Sequence, residues 1–401
     1  PDGNHLEESG GDGGMKWEYK TLDQLGTVSR GKSKHRPRND PKLFGGKYPF
    51  IQTADVKNAD YYITKYSDTY NESGLAQSKL WDKGTLCITI AANIADTGVL
   101  AFPACFPDSI MGFVPFEGVA NTRFIKYCFD RLQRDCKQIS QGTAQDNLSW
   151  EKLSTIKFCI PEYKEQCRIA DILSAYDDLI ENNQKQIKLL EEAAQRLYKE
   201  WFVDLRFPGH ENTKIVDGVP EGWKKERLVD IAEIQYGYAF DGTLFNADKN
   251  GTPIIRIRNI PQAETMDYTT EQVSENYLVQ NGEIIVGMDG EFHINAWAGN
   301  TAYLVQRVCC IRPKNTEIKG WLLQAIYEPI KFFEHTVVGA TVSHLGKKHL
   351  DSIYLLTSPE EFYEPFKTFF DKRLLLMNQN RKLREARDRL LPKLMSGNVK
   401  V

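Results

Sequence analysis

Residues 17–31 read WEYKTLDQLGTVSRG, and residues 223–237 read WKKERLVDIAEIQYG. Trp17, Leu22, Leu25, Gly26, Val28 and Gly31 return as Trp223, Leu228, Ile231, Ala232, Ile234 and Gly237, each 206 positions later. Pro49-Phe50-Ile51 returns as Pro253-Ile254-Ile255, at offset 204. Gly84-Thr85-Leu86-Cys87-Ile88 returns as Gly282-Glu283-Ile284-Ile285-Val286, at offset 198. Gly142, Leu148, Leu153 and Ile156 match Gly339, Leu345, Leu350 and Ile353, at offset 197. Ordered matches with a slowly drifting offset are what a duplication with loop insertions leaves behind. The period is too long for a solenoid.

Within each copy, short β-branched and aromatic runs are punctuated by Gly, Pro and Asn and read as strands: Tyr48 to Val56, Thr85 to Ala91, Pro253 to Ile260 and Glu283 to Met288. Short helices open each unit (Leu22 to Val28, Leu228 to Ile234) and precede its end (Asn121 to Asp135, Gly320 to Glu334). The fold class is α+β: two tandem α/β domains, each followed by a long helix. Residues 1–14 read as a disordered lead or an expression remnant. The first domain covers 15–160, a long helix 161–206, a linker 207–221, the second domain 222–359 and a second long helix 360–401.

The first long helix starts at Pro161-Glu162, a proline and an acid suited to a first turn. Its seam is expected at Ile169, Ile172, Tyr176, Leu179, Asn183, Leu190 and Leu197. Phe207-Pro208-Gly209 should stop it. The second seam is expected at Phe369, Leu376, Asn380, Leu383 and Leu390. From Glu162 to Arg206 the net charge is −3, and from Phe366 to Lys400 it is +7. Two striped helices of opposite bias are expected to pair as an antiparallel coiled coil with pseudo-two-fold symmetry. An Asn in each seam, 183 and 380, would cost stability and fix register. A run of some 36 helical residues spans about 54 Å, enough for a spacer.

The chain has 401 residues and a formal net charge of −3. That balance does not advertise nucleic-acid binding, so any such reading rests on local charge. No stretch approaches the roughly 18 apolar residues of a membrane span, and no secretory signal is expected at the N-terminus. Eight cysteines without a C-x-x-C pair read as small buried residues of a cytoplasmic protein. Phosphate-loop, adenosylmethionine-pocket, His-Glu-x-x-His and Gly-x-Ser-x-Gly motifs are absent. Pro107-Asp108 resembles the opening of a nuclease motif, but no Glu-x-Lys follows. His344 and His349 read as surface or groove residues. No catalysis, metal or cofactor is expected of this chain.

Arg30, Lys32, Lys34, Arg36, Arg38, Lys42 and Lys47 face one acid, Asp40, in an 18-residue run, with His35 among them. Such a loop can neutralise phosphates and reach guanine edges. Copy two carries Tyr236 and Tyr238 there, suited to stacking or apolar base contact. Gln52 and Thr53 in copy one match Arg256, Arg258 and Asn259 in copy two; Gln and Asn suit adenine, Arg guanine. Thr143 and Gln145 match Thr341, Ser343 and His344, small or polar tips that let a backbone approach. Equal scaffolds with different tips suit two readers of different short sequences.

The chain resembles the specificity subunits of type I restriction-modification systems. The resemblance runs from Met15 onward and is carried by EQCRIADIL (165–173), DDLIENN (177–183), LYKEWFVDLRFP (197–208), VPEGW (219–223) and GTLCITIAANI (84–94). Copy two departs from that last run with Gly287-Met288-Asp289-Gly290. Asn93 and Asp289 lie in these runs and, with His293 three residues beyond the last, complete the candidate DNA contacts. The resemblance implies two target-recognition domains, each reading half of a bipartite, asymmetric site in double-stranded DNA. It implies helices that set the gap and dock two methyltransferase subunits, which methylate adenine N6. Restriction subunits would join through the complex. Adenosylmethionine, ATP and magnesium would belong to those partners. The competing readings are a self-sufficient, divergent methyltransferase or nuclease, and a coiled-coil adaptor with no DNA role.

Overall fold

The computed structural model describes residues 17–90, 96–139, 150–336, 344–397 and 399. Two compact units emerge: Pro1–Asp178 with Arg384–Val401, and Leu179–Leu383. The division passes through both long helices, Tyr163–Tyr198 of 36 residues and Glu364–Met395 of 32. Each helix therefore contributes one end to each unit.

In the first unit, Gly26–Arg30, Ile110–Pro115, Leu86–Thr89, Thr97–Leu100 and Tyr62–Ile63 form one sheet in that order. All pairs are antiparallel except the last. Side chains alternate faces along a strand, and here both faces are covered. Leu86, Ile88, Met111 and Phe113 join a core with Phe124 and Phe129 of the helix Thr122–Ile139. Cys87 and Ile110 join a second core with Trp81 and Phe106. That accounts for the uninterrupted apolar run of this strand. Asn121 starts the helix by accepting the N–H groups of Arg123 (2.9 Å) and Phe124 (3.2 Å).

The second unit repeats the arrangement. Ala232–Tyr236, Val308–Pro313, Ile284–Gly287 and Ile294–Ala296 lie in the same order. Ile284, Val286, Cys309 and Ile311 face one core, and Ile285, Val308 and Cys310 face the other. A strand pair clasps each unit: Glu18–Lys20 with Phe158–Ile160, and Lys224–Arg227 with Tyr354–Thr357. The duplication is thus drawn in hydrogen bonds as well as in letters.

Several elements stop earlier than the residue pattern suggests. The strand expected over Tyr48 to Val56 is Phe44–Phe50, followed by a helical turn Thr53–Lys57. The matching strand is Thr252–Ile255, followed by Ile257–Asn259. In both, a side chain three residues on captures the last extended N–H: Asp55 takes Gln52 N–H at 2.7 Å, and Asn259 takes Arg256 N–H at 2.8 Å. A local cap of this kind ends a strand by starting a turn. The helix expected over Gly320 to Glu334 is two, Lys319–Ala325 and Tyr327–Thr336.

Within the first unit, Ile169, Ala170 and Leu173 of the first long helix share a core with Leu391, Leu394 and Met395 of the second. Buried Gln166 locks the helix start: it accepts Asn121 N–H and donates to the carbonyls of Val119 and Pro161, each at 3.0 Å. Asp177, also buried, pairs with Arg387 and accepts the Tyr127 hydroxyl. Within the second unit, Asn183 meets Asn380, Glu191 meets Arg373, and Tyr198 meets Phe366. Rising numbers against falling ones make the pairing antiparallel. Asn183 and Asn380 also occupy equivalent repeat positions, so the helices are related by a local two-fold where they touch.

The seam is corrected at two positions. Ile172 is 37% exposed and Leu179 46% exposed. Ala170, Leu173, Asp177 and Ile180 are buried instead. Tyr176, Leu190, Leu197, Phe369, Leu383 and Leu390 are half-buried, and Ile169, Leu376 and both asparagines are buried. The phase differs because a charged residue, Asp177, occupies the inward position beside its arginine, and a reading by apolar spacing places it outside.

The first long helix ends in a widened turn, Lys199–Val203. There Phe202 stacks on Tyr198 with ring centroids 5.3 Å apart, and packs on Trp223 at 4.9 Å. Phe207 packs on Trp223 at 4.6 Å. The aromatic run 197–208 is an anchor between helix and second head.

Candidate nucleic-acid interface

Both heads use the same device to present their tips. The first strand ends at a glycine whose N–H donates to the start of the neighbouring strand: Gly31 to Ile110 O at 2.8 Å, Gly237 to Val308 O at 3.0 Å. A Cβ at Gly31 would stand 2.3 Å from Phe106 O, and one at Gly237 2.1 Å from Val305 O. Only glycine permits so close a backbone approach. The next residue donates back, Lys32 to Phe106 O at 3.0 Å and Tyr238 to Leu304 O at 2.8 Å. The second tip joins the same stretch of chain, with Ile51 N–H on Cys105 O and Val305 N–H on Ile255 O. Lys32 and Gln52 therefore emerge from one place in the first head, and Tyr238 and Arg256 from the equivalent place in the second.

In the first head the basic loop is held, not loose. Gln77 accepts the N–H groups of Lys34 (2.6 Å) and His35 (3.0 Å). Ser78 donates to Lys32 O at 2.7 Å. The Arg36 guanidinium donates to the carbonyls of Ser33 and His35 at 2.7 and 2.8 Å. Asp40 accepts Lys42 N–H and contacts His35 Nε2 at 2.9 Å. Those two contacts, the backbone one first, hold its carboxyl below the usual aspartate range. Arg38 pairs with Asp108 at 2.7 Å, which gives the Pro107-Asp108 pair a structural role. Arg30, Lys32, Lys34, Arg36 and Arg38 are all exposed. Gln52 donates to Asp68 at 2.6 Å, and Thr53 is exposed.

In the second head Tyr238 packs against Phe240 and Tyr277, with centroids 5.0 and 5.2 Å away. Arg256 lies over the Phe245 ring at 5.5 Å. Arg258 and Asn259 both turn to Asp267. Burial opposes the Asp267 charge, yet those hydrogen bonds hold its carboxyl below the usual range. His293 lies 3.5 Å from Glu291. Asp289 and His344 form an isolated antiparallel bridge, with carboxylate and Nδ1 2.5 Å apart. Tyr236, Gly237, Arg307, His344 and Lys347 line one open cavity. Burial pushes the Tyr236 hydroxyl up to about 12. His349 stacks on Phe333 at 4.9 Å instead of joining that group.

The structure thus gathers Tyr236, Asp289 and His344, and separately Arg256, Arg258 and Asn259. Asn93, Thr143, Gln145, Thr341 and Ser343 lie outside the described residues. Arg307 and Lys347 are absent from the residues singled out by sequence. Arg307 stands alone in its stretch of sequence, and Lys347 has only Lys348 beside it, too short a pair to mark a basic run. Among the described residues, no helix is long and apolar enough to cross a membrane.

A family model described as the type I restriction modification DNA specificity domain matches residues 15–192 and 220–361. The specificity subunit of the type I restriction enzyme MjaIX of Methanocaldococcus jannaschii is 26% identical over 409 residues, covering 96% of this chain and 94% of that protein. The EcoBI specificity subunit of Escherichia coli is 32% identical over 142 residues, covering 35% of this chain and 30% of the relative. A crystal structure of the type I restriction-modification S subunit from M. genitalium superimposes with a TM-score of 0.56 at 16% identity, covering 97% of each chain. With a model of that description matched twice, once on each copy of the duplicated head, this chain belongs to the type I restriction-modification DNA specificity family.

Proposed function

We propose that the two heads read the two halves of a bipartite, asymmetric site in double-stranded DNA. The observation that carries this is the pairing of one presentation device with two chemistries. Lys32 and Tyr238 hang from equivalent backbone bonds, one on a cationic loop and the other in an aromatic cluster. Phosphate contacts position a reader and base contacts specify its sequence. Two unlike tips on like scaffolds therefore suit two unlike half-sites.

The chain is the recognition component of a type I restriction-modification complex and leaves catalysis to its partners. In our reading those are two methyltransferase subunits, using adenosylmethionine, and restriction subunits driven by ATP with magnesium. The paired helices would hold the unread gap and dock the methyltransferases, and a local two-fold suits two identical partners. In our reading the complex works in the cytoplasm, alongside the DNA it reads.

Selection from a random duplex pool by the assembled methyltransferase complex tests this reading. It should return two short fixed blocks separated by a gap of constant length. A single block, or retention with no fixed bases, would contradict it.

A further inference from the structure

We propose that Arg307 reads a guanine in the half-site of the second head, with Asp289 and His344 holding its guanidinium for the purpose. This rests on the second head being a DNA reader and names the base and the residue.

Arg307 sits in the turn between Ala302–Leu304 and Val308–Pro313, strands of two different sheets, where Val308 N–H closes on Val305 O at 3.2 Å. Its φ is +70°. That left-handed position normally belongs to glycine or asparagine. A residue with a long side chain, kept in backbone strain at a binding tip, points to use of the side chain. The backbone is also pinned, because Met288 N–H donates to Arg307 O at 2.8 Å.

The side chain is aimed as well. Its Nε lies 3.3 Å from Asp289 Oδ2. The other oxygen of that carboxylate is 2.5 Å from His344 Nδ1. So short a contact to a carboxylate places the proton on Nδ1. His344 Nδ1 then cannot accept from Arg307 Nη1, although the two are 3.4 Å apart. The Nη1 and Nη2 edge keeps its donors, and the side chain is 55% exposed. Two parallel donors on one plane match O6 and N7 of guanine.

A phosphate could also accept that edge. Nearby Lys347 and Lys348 are exposed cations that can meet a phosphate, whereas the Asp289 carboxylate beside Arg307 Nε offsets the charge Arg307 would bring to one. The guanine assignment follows from that carboxylate: it weakens Arg307 as a bare charge but leaves the Nη1 and Nη2 donors to pair with O6 and N7.

The test is the sequence of methylated sites in host DNA, from cells carrying the complex with the wild-type chain, Arg307→Ala, Arg307→Lys or Asp289→Asn. Wild type should show a guanine in one half-site. Arg307→Ala and Arg307→Lys should relax that one base pair by roughly ten-fold or more and leave the other half unchanged. Asp289→Asn should relax the same base pair less. A uniform fall in methylation with an unchanged motif would assign Arg307 to phosphate and overturn the proposal. So would a half-site without guanine, or relaxation at a different base pair. A wild-type complex with no two-part motif would overturn the reader assignment itself, before any variant is compared.

Discussion

Asn183 donates its side-chain amide to the carbonyl oxygen of the Asn380 amide at 2.9 Å, and each residue is only 3% exposed. The two are equivalent in the duplication, 197 positions apart. A residue that meets its own copy marks the local two-fold of the helix pair. It also fixes register, because a shift along either helix leaves two buried amides without partners.

Asn183→Leu alone strands the Asn380 amide and should destabilise the chain by about 1–3 kcal/mol. The double variant Asn183→Leu with Asn380→Leu should recover most of that loss. Urea unfolding midpoints of the single and double variants check both statements. A double variant as unstable as the sum of its singles would contradict the pairing.

Asp177→Asn should cost about 3 kcal/mol, because it removes the buried counter-charge of Arg387. The figure is at the low end for a broken buried pair, since Asp388 also pairs with Arg387 at 3.0 Å. Thermal unfolding of the full chain measures it. Loss of helix content without a lower midpoint would be the wrong signature.

Arg36→Ala should weaken DNA binding by the assembled complex and reduce its salt slope by about 0.9, as for one phosphate contact. Arg38→Ala should reduce the slope less, because Asp108 already neutralises it. Affinity measured across a salt series separates the two. Equal slopes for wild type and Arg36→Ala would remove that residue from the interface.

Asp267 should titrate below the ordinary aspartate value of about 3.9, because Arg258 and Asn259 favour its charged form over the opposing effect of burial. A carboxyl depressed in the fold contributes stability above the unfolded value, lost as the pH falls through the folded one. Carbon-13 NMR of the carboxyl should give a midpoint below 3.9, and Arg258→Ala should raise it. A midpoint unmoved by Arg258→Ala would show the pair to be without effect.

The scaffold was legible where spacing carries the information. Trp17 and Trp223, Gly31 and Gly237, and the two seam asparagines are recognisable by position alone, because each serves a repeated packing need. The seam phase at Ile172 and Leu179 was not legible: burial of Asp177 depends on Arg387, 210 positions away. The tips were legible as chemistry but not as orientation. Arg258 and Asn259 read as candidate base contacts, and their shared partner Asp267 is visible only in the fold. Arg307 is a lone arginine between two apolar strands, and only folding brings Asp289 and His344 to it.

The central claim is one reader built twice, with half-site choice residing in each head. Replacing residues 224–357 by a second copy of residues 18–160 exchanges heads at their matching clasp strands. Sequencing methylated adenines in DNA from cells carrying that chimera with its partners tests the claim directly. The account predicts a symmetric target in which the first half-site appears twice, inverted, around the gap. Retention of the original second half-site would contradict it.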